Sequence, residues 1–494
     1  MSTTVRPSHR KYVVAAIMLA TFMVAIEATI VATAMPHIVG EVGGFAYYAW
    51  VFSAFLLAQS TTTVIYGKLA DVFGRKPVLL FGAALFLVGS LLCGLAWSMM
   101  SLVAFRLVQG LGAGAIQPVT ITVIGDLYSF EERGRAQGLN ASVWATSAVT
   151  GPLAGAIIVE HVSWSWIFWI NLPFGVLAMA GFALFLEETI APRRVRIDYA
   201  GAALFTVAIA ALLAALTETA APPATLALLG AVFVASGAAF LVWERRASEP
   251  IISIALWSRR LIATVNGATL LAGMAPIGLT TVLPIYVQSV MGRSAMAAGF
   301  ALTMLIFGWP LAVMLSGRFF RAFGLRRTLR TGGLFVPLGA ALLLLLAPDS
   351  HPAVAGAASF LMGFGMGLIS LTCFVLVQDS VEWSMRGSAT ASVLFARGLG
   401  NTLGATVLAA VLNLGLAHHG GATLAAEVHA LLDRPDGLAR LAADPAVRPL
   451  FDQALHWTFR AIVAMALLTC VLIWMVPAGA RHAAAPARAP TPAD

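Results

Sequence analysis

The apolar positions of this chain neither alternate nor follow the two-sided rhythm of a surface helix. They come in runs of about 20 residues or more, the length a helix needs to cross a bilayer, separated mostly by short polar breaks. The first run is Tyr12 to Met35, followed by spans near 46–66, 78–97, 99–124, 138–160 and 164–186. Two more lie near 200–218 and 224–243, and six near 261–290, 295–316, 328–347, 353–378, 388–417 and 455–477. The pattern predicts an all-α polytopic membrane protein with fourteen transmembrane helices. The first run exceeds the apolar core of a signal peptide, about 7–15 residues, and is read as a retained span.

Composition sharpens this picture. Of 494 residues 60% are hydrophobic and 11% charged, with a mean hydropathy of +0.89, which excludes the soluble and disordered classes. Cys93, Cys373 and Cys470 all fall in apolar runs, so neither a disulfide framework nor a metal site is expected. The net charge of +8 gains meaning only on a topology. With the N-terminus cytoplasmic, most Lys and Arg fall in cytoplasmic segments or at inner span ends, as the positive-inside rule requires. Both termini are then cytoplasmic and the chain is integral to the cell (inner or plasma) membrane. The basic excess serves topology and lipid headgroups, not nucleic acid. No GxxxxGK[ST] loop is present, which disfavours direct ATP drive, and no cofactor is expected. The segment 418–455, with helical-looking pieces such as Ala422 to Leu432 broken by Pro435 and Pro445, reads as a small extracytoplasmic cap or hairpin, its His418–His419 pair as solvated loop, and the stretch after Pro477 as a disordered tail.

The chain also repeats itself. GKLADVFGRK at 67–76 matches GRFFRAFGLRR at 317–327, and at nearly the same offset Arg133-Gly134 and Gly151 fall on Arg386-Gly387 and Gly404, and Pro36 on Pro284. An even number of spans separates the copies, so the repeat is parallel. Such symmetry favours two six-helix bundles about an axis along the membrane normal, with a site near the midplane. The expected divisions are 1–199, an inserted helix pair with its linker at 200–260, a second bundle at 261–477, and the tail 478–494.

Charges inside spans are the first functional candidates. Glu27 sits near the middle of span 1, where an ionisable group costs from about 2.5 to more than 10 kcal/mol and therefore usually marks an ion or substrate path. Arg106, in LVAFRLVQGLGAG at 102–114, lies about 10 Å below the outer end of span 4, and Glu27 about 14 Å below Pro36, at ~1.5 Å per residue. Comparable depth lets the acid and the base pair and offset each other's burial. In the 67–76 loop, Gly67 and Gly74 permit close approach and a tight turn, and Asp71 would sit near the start of span 3, where the helix dipole favours an anion. Arg75 or Arg135 would supply basic partners for a charge cluster holding the halves closed on the inside. Span 5 carries Gly138, Ser147 and GPLAGA at 151–156, in which Gly151, Pro152 and Gly155 combine close packing with a bend. Gln59, Trp144 and the repeat partner of Trp144, Arg397, are placed in the substrate cavity, since an Arg well inside a span faces protein or water. Asp126, Glu160, Glu218, Asp379 and Glu382 lie at span ends, where a wet interface explains them.

In their order and topology, GKLADVFGRK, LVAFRLVQGLGAG, the span-5 pattern and IEATIVATAMP at 26–36 resemble the major facilitator superfamily, specifically its fourteen-span drug:proton antiporter branch. The resemblance covers nearly the whole chain. It implies a role in proton handling for Arg106 and an antiporter signature in span 5. Departures are Glu27 where aspartate is more usual, Ser147 and Ala156 in place of glycines, and Arg321 where the second loop would repeat Asp71. SWSWIFWINLPFG at 163–175 resembles the branch's span-6 entry, with Ser165 where arginine is expected. The implied function is proton-coupled efflux of amphipathic, often cationic drugs by a monomer working through alternating access, with protons, small substrates and the bilayer as its partners. Export of a lipid, siderophore or other metabolite, or facilitation without coupling, are the alternatives. No catalytic constellation lies within the spans, which disfavours a membrane enzyme.

Overall fold

The structure is a computed structural model that describes residues 9–43, 48–128, 130–188, 198–217, 222–247, 250, 254–432, 441 and 443–477. Among these the architecture is all-helical, with fourteen principal helices. The first six are α1 (Arg10–Val42), α2 (Tyr48–Phe73), α3 (Arg75–Gly94), α4 (Met99–Leu127), α5 (Phe130–His161) and α6 (Asn171–Phe185), the last preceded by the short turn Trp166–Trp169. An inserted pair follows, α7 (Tyr199–Thr217) and α8 (Pro223–Glu244). After α9 (Arg260–Ser289), one helical stretch runs Ala295–Leu343 but breaks at Gly324, whose φ of 74° is open to glycine without strain. Its two legs are α10 (295–323) and α11 (325–343). The last three are α12 (Pro352–Asp379), α13 (Arg386–Leu432) and α14 (Val447–Met475).

By length and hydropathy, ten helical stretches among the described residues qualify as membrane spans, and the bent pair Glu132–Ala148 and Leu153–Val159 makes an eleventh. This count is below fourteen partly because α10 and α11 register as one stretch, and α7 offers only a shorter apolar segment, Tyr199–Leu212. Within the segment 418–455, α13 continues as helix to Leu432, where 422–432 holds good helix formers and no proline. Pro435 lies outside the described residues. The tail 478–494 does too.

Local chemistry explains the breaks. Gly74, with φ 96°, separates α2 from α3, and Ser98 with Ser101 forms a reciprocal capping box at the start of α4. The first six helices bury two apolar clusters, one around Phe86, Ile116 and Phe182, the other around Met35, Leu102 and Phe168. The last six share one larger core that includes Tyr286, Met362 and Phe459. The inserted pair packs Phe205, Ile209 and Phe240 against Val64 of α2 and Phe395 of α13, so it touches both bundles.

Candidate functional site

Two polar assemblies stand out from the apolar packing. The first surrounds Glu27, which is 0% exposed on α1. One carboxylate oxygen accepts from Arg106 Nη1 of α4, and the other accepts from Asn171 Nδ2 of α6 at 2.6 Å. Arg106 also donates to Gln109 Oε1 at 2.7 Å and to the Val51 carbonyl of α2 at 3.0 Å, and it stacks 4.2 Å from the Phe55 ring centroid. Gln109 in turn donates to Ser90 Oγ of α3 at 2.7 Å, and Asn171 approaches the same hydroxyl at 3.2 Å. Five helices thus converge on one carboxylate. A buried ion pair is tolerable only when geometry and further hydrogen bonds replace the lost water, and removal of one partner typically costs about 3–5 kcal/mol. The depth estimate from sequence and the contact in space agree for Glu27 and Arg106. Asn171 and Ser90 carry no signal of this role in the sequence, although Asn171 lies within the WINLPFG stretch.

Backbone proximity brings α5 up to this pair. A Cβ on Gly151 would lie 2.0 Å from Thr29 Oγ1 and 2.9 Å from Thr29 Cβ, two residues beyond Glu27. Thr29 Oγ1 donates to the Ser147 carbonyl at 3.1 Å. Gly155 is buried on the same helix. The side chain of Pro152 lies outside the described residues, and α5 bends by 43° across the break between 148 and 153 that contains this proline. Replacing Gly151 by Val is expected to force α1 and α5 apart at a cost of about 1–3 kcal/mol, the usual range for overpacking. The check is the thermal-unfolding midpoint in detergent, which should fall by several degrees.

The second assembly closes the seam between the bundles at the end bearing the 67–76 loop, here the basic end. Asp71, in the last turn of α2, accepts from Gly387 N at 2.8 Å, Ser388 N at 2.7 Å and Ser388 Oγ at 2.8 Å. These amides open α13, so the helix dipole that favours the carboxylate belongs to the other bundle and not to α3 as expected. Buried Arg75 lies 3.4 Å from Asp71 and 3.3 Å from Asp126, donates to the Trp383 carbonyl at 2.9 Å, and stacks 3.7 Å from the Trp383 ring centroid. Glu188 accepts the backbone N–H groups of Arg75 and Lys76 at 3.0 Å each, capping α3.

Two ion pairs cross the seam reciprocally. Arg386 Nη1 of α13 meets Asp126 Oδ1 of α4 at 2.9 Å, and Arg133 Nη1 of α5 meets Asp379 Oδ1 of α12 at 3.0 Å. Each residue is the repeat partner of the one in the opposite pair. Both acids therefore pair across the bundles; burial of Asp126 corrects its assignment to a wet interface, while the Asp379 side chain stays 40% exposed. Arg135 is exposed and absent from the described ion pairs; Arg133, two residues earlier, takes the cross-bundle role. The glycine crossing is duplicated as well. A Cβ on Gly67 would lie 2.4 Å from Ala391 Cβ and 2.8 Å from the Gly387 carbonyl oxygen, while one on Gly134 would lie 2.9 Å from Gly317 N. Gly138 faces Met314 of α10, whose Cγ would be 2.4 Å away. Arg321 is exposed, so the second copy keeps the close approach and lacks the carboxylate.

Three cavity candidates are half-buried. Gln59 lies on α2, where its carbonyl accepts from Thr63 Oγ1 at 2.8 Å. Trp144 packs against the core of the first bundle. Arg397 sits inside α13 and reaches Ser370 Oγ of α12 at 3.2 Å. His418 and His419 pack on Trp457, with ring centroids 5.1 and 5.8 Å away, and no metal-binding group occurs among the described residues.

Apolar spanning helices in two bundles, joined by a seam of charges and enclosing a fully buried carboxylate, have the make-up of a membrane transporter. Comparison with known proteins agrees. The family description "Major Facilitator Superfamily" matches residues 17–405, and the chain belongs to that superfamily. It is similar to multidrug resistance protein 3 of Bacillus subtilis (strain 168), 36% identical over 414 residues, covering 83% of this chain and 81% of that one. It is also 33% identical over 423 residues to the multidrug transporter protein MdtP of the same organism, covering 84% of this chain and 77% of the relative. Among solved structures it resembles the human organic anion transporter MFSD10, with a TM-score of 0.65 at 16% identity over 95% of this chain and 100% of that one, a likeness that concerns the fold alone.

Proposed function

We propose that this protein exports amphipathic small molecules in exchange for protons, with Glu27 as the proton site. The carrying observation is a carboxylate with no exposed surface, in a spanning helix, held by Arg106 and Asn171. Intramembrane charges of this kind default to function because burial is costly without one. The efflux direction draws on the two multidrug relatives. Ionised Glu27 fixes Arg106 across α1 and α4. A proton on Glu27 removes the charge Arg106 holds and weakens the tie between α1, α4 and α6. Enclosure of the pair supports coupling through conformation over direct competition for one contact: proton and cargo each bias the same two-state equilibrium.

In this reading the basic end is cytoplasmic and the charged seam is the inner gate, closed as the structure presents it. Gly138 and Gly151 keep α5 against α10 and α1 through the cycle. The protein works as a monomer driven by the proton gradient. The test is proton movement in proteoliposomes, read with an internal pH dye while amphipathic drugs are added outside. Drug-dependent proton flux is expected. Drug movement with no accompanying proton flux would leave a facilitator.

A further inference from the structure

The seam places one cation at mid-depth in the membrane. Arg397 is eleven residues into α13 from Arg386, about 16 Å at ~1.5 Å per residue, near the middle of an apolar core about 30 Å thick. Helix α13 meets α2 through Gly387, Ala391 and Gly398, the last facing Ser60. Helix α10 meets α5 through Met314 and Gly317. Arg397 reaches from the first of these seam helices across α12 toward the second, with the ring centroids of Phe374 on α12 and Trp309 on α10 each 5.9 Å from its guanidinium carbon.

The guanidinium has five N–H donors, and the contact to Ser370 Oγ uses one. Among the described residues no carboxylate pairs with Arg397. Glu27, the acid buried within the spans, is engaged by Arg106 and Asn171. The residue is half-buried at this depth, and on α2 across the seam Gln59 and Ser60 are also half-buried and neutral. A guanidinium fork matches carboxylates and other planar oxyanions through paired hydrogen bonds, and its aromatic neighbours suit a flat ring system.

We propose that Arg397, with Ser370 and Trp309, receives the acidic group of a flat amphipathic cargo, such as an aromatic carboxylate or phenolate. The preferred substrates are then organic anions or zwitterions, not the cations that the charge of Glu27 alone suggests. This inference rests on the efflux reading and names the substrate class of that transporter.

Fluorescein, an aromatic anion, and ethidium, an aromatic cation, are suitable probes for the wild type, Arg397→Lys and Arg397→Gln. Binding is read by anisotropy on the purified full chain, and transport in proteoliposomes under an imposed proton gradient. The wild type is expected to bind and move fluorescein. Arg397→Gln should weaken fluorescein binding at least tenfold and raise its KM, with ethidium unchanged or improved, while Arg397→Lys keeps an intermediate affinity. Equal loss of both dyes in Arg397→Gln, with Arg397→Lys equally impaired, would make the residue merely structural and overturn the proposal. So would a wild type that binds ethidium and not fluorescein. Binding of fluorescein without flux would overturn the efflux reading and leave the anion site standing.

Discussion

Glu27→Gln is expected to abolish drug-dependent proton flux, by a hundredfold or more, while leaving the protein folded. The glutamine carbonyl can still accept from Arg106, and its NH₂, which would face Asn171 Nδ2, is met when the Asn171 amide turns its unpaired oxygen inward. What disappears is the group that exchanges a proton. Loss of the negative charge leaves Arg106 buried with neutral partners, which costs stability of about 3–5 kcal/mol at most, since hydrogen bonds remain. The discriminating measurement is paired: proton flux and dye movement recorded on the same proteoliposomes. Normal drug-for-proton exchange by the variant would remove Glu27 from the mechanism. Arg106→Ala should be worse for stability than Glu27→Gln, since it strips the carboxylate of its counter-ion at 0% exposure.

Asp71→Asn addresses the seam. The carboxylate accepts three hydrogen bonds from Gly387 and Ser388, and hydrogen bonds to a charged group contribute about 1.5–3 kcal/mol each. An amide offers one oxygen where two now accept, and its NH₂ would confront a backbone N–H. A shift of at least tenfold from the closed to the open state at the basic end is expected, with turnover falling by a similar factor. Spin labels at the exposed positions Arg135 and Arg321, one on each bundle, would report it as a longer distance population. Unchanged distances and turnover would reduce the 67–76 loop to a topological turn.

Much of this arrangement is legible in the sequence because the bilayer imposes a single length scale. Span lengths give the helices, and counting at a fixed rise per residue puts Glu27 and Arg106 at one depth. Rotation about each helix axis is harder to read. Arg133 and Arg135 differ by about 200° around α5, and only the packing of that helix decides which one meets Asp379. Asp126 and Asp379 look like ordinary interfacial acids until the bundles are brought face to face. The repeat that aligns Arg133 with Arg386 also aligns these two acids, so the numbering holds the reciprocal pairing, but only contact between the bundles gives it a physical meaning. Asn171 and Ser90 are small neutral side chains of a kind common in spans, and nothing but proximity to Glu27 sets them apart. Sequence adjacency to α3 points the dipole beneath Asp71 to its own bundle, because the approach of α13 is written nowhere in the local sequence.

The inserted pair also affects how cargo can enter. Phe205 packs 5.4 Å from Phe395 and 5.5 Å from Phe240, with Val64 of α2 in the same cluster, so α7 and α8 form a greasy shutter over the crevice where α2 and α13 meet. No comparable pair covers the flank between α5 and α10 among the described residues. A molecule dissolved in the lipid then finds the two flanks of the seam unequal, one overlaid by α7 and α8 and the other formed by the direct contact of α5 with α10.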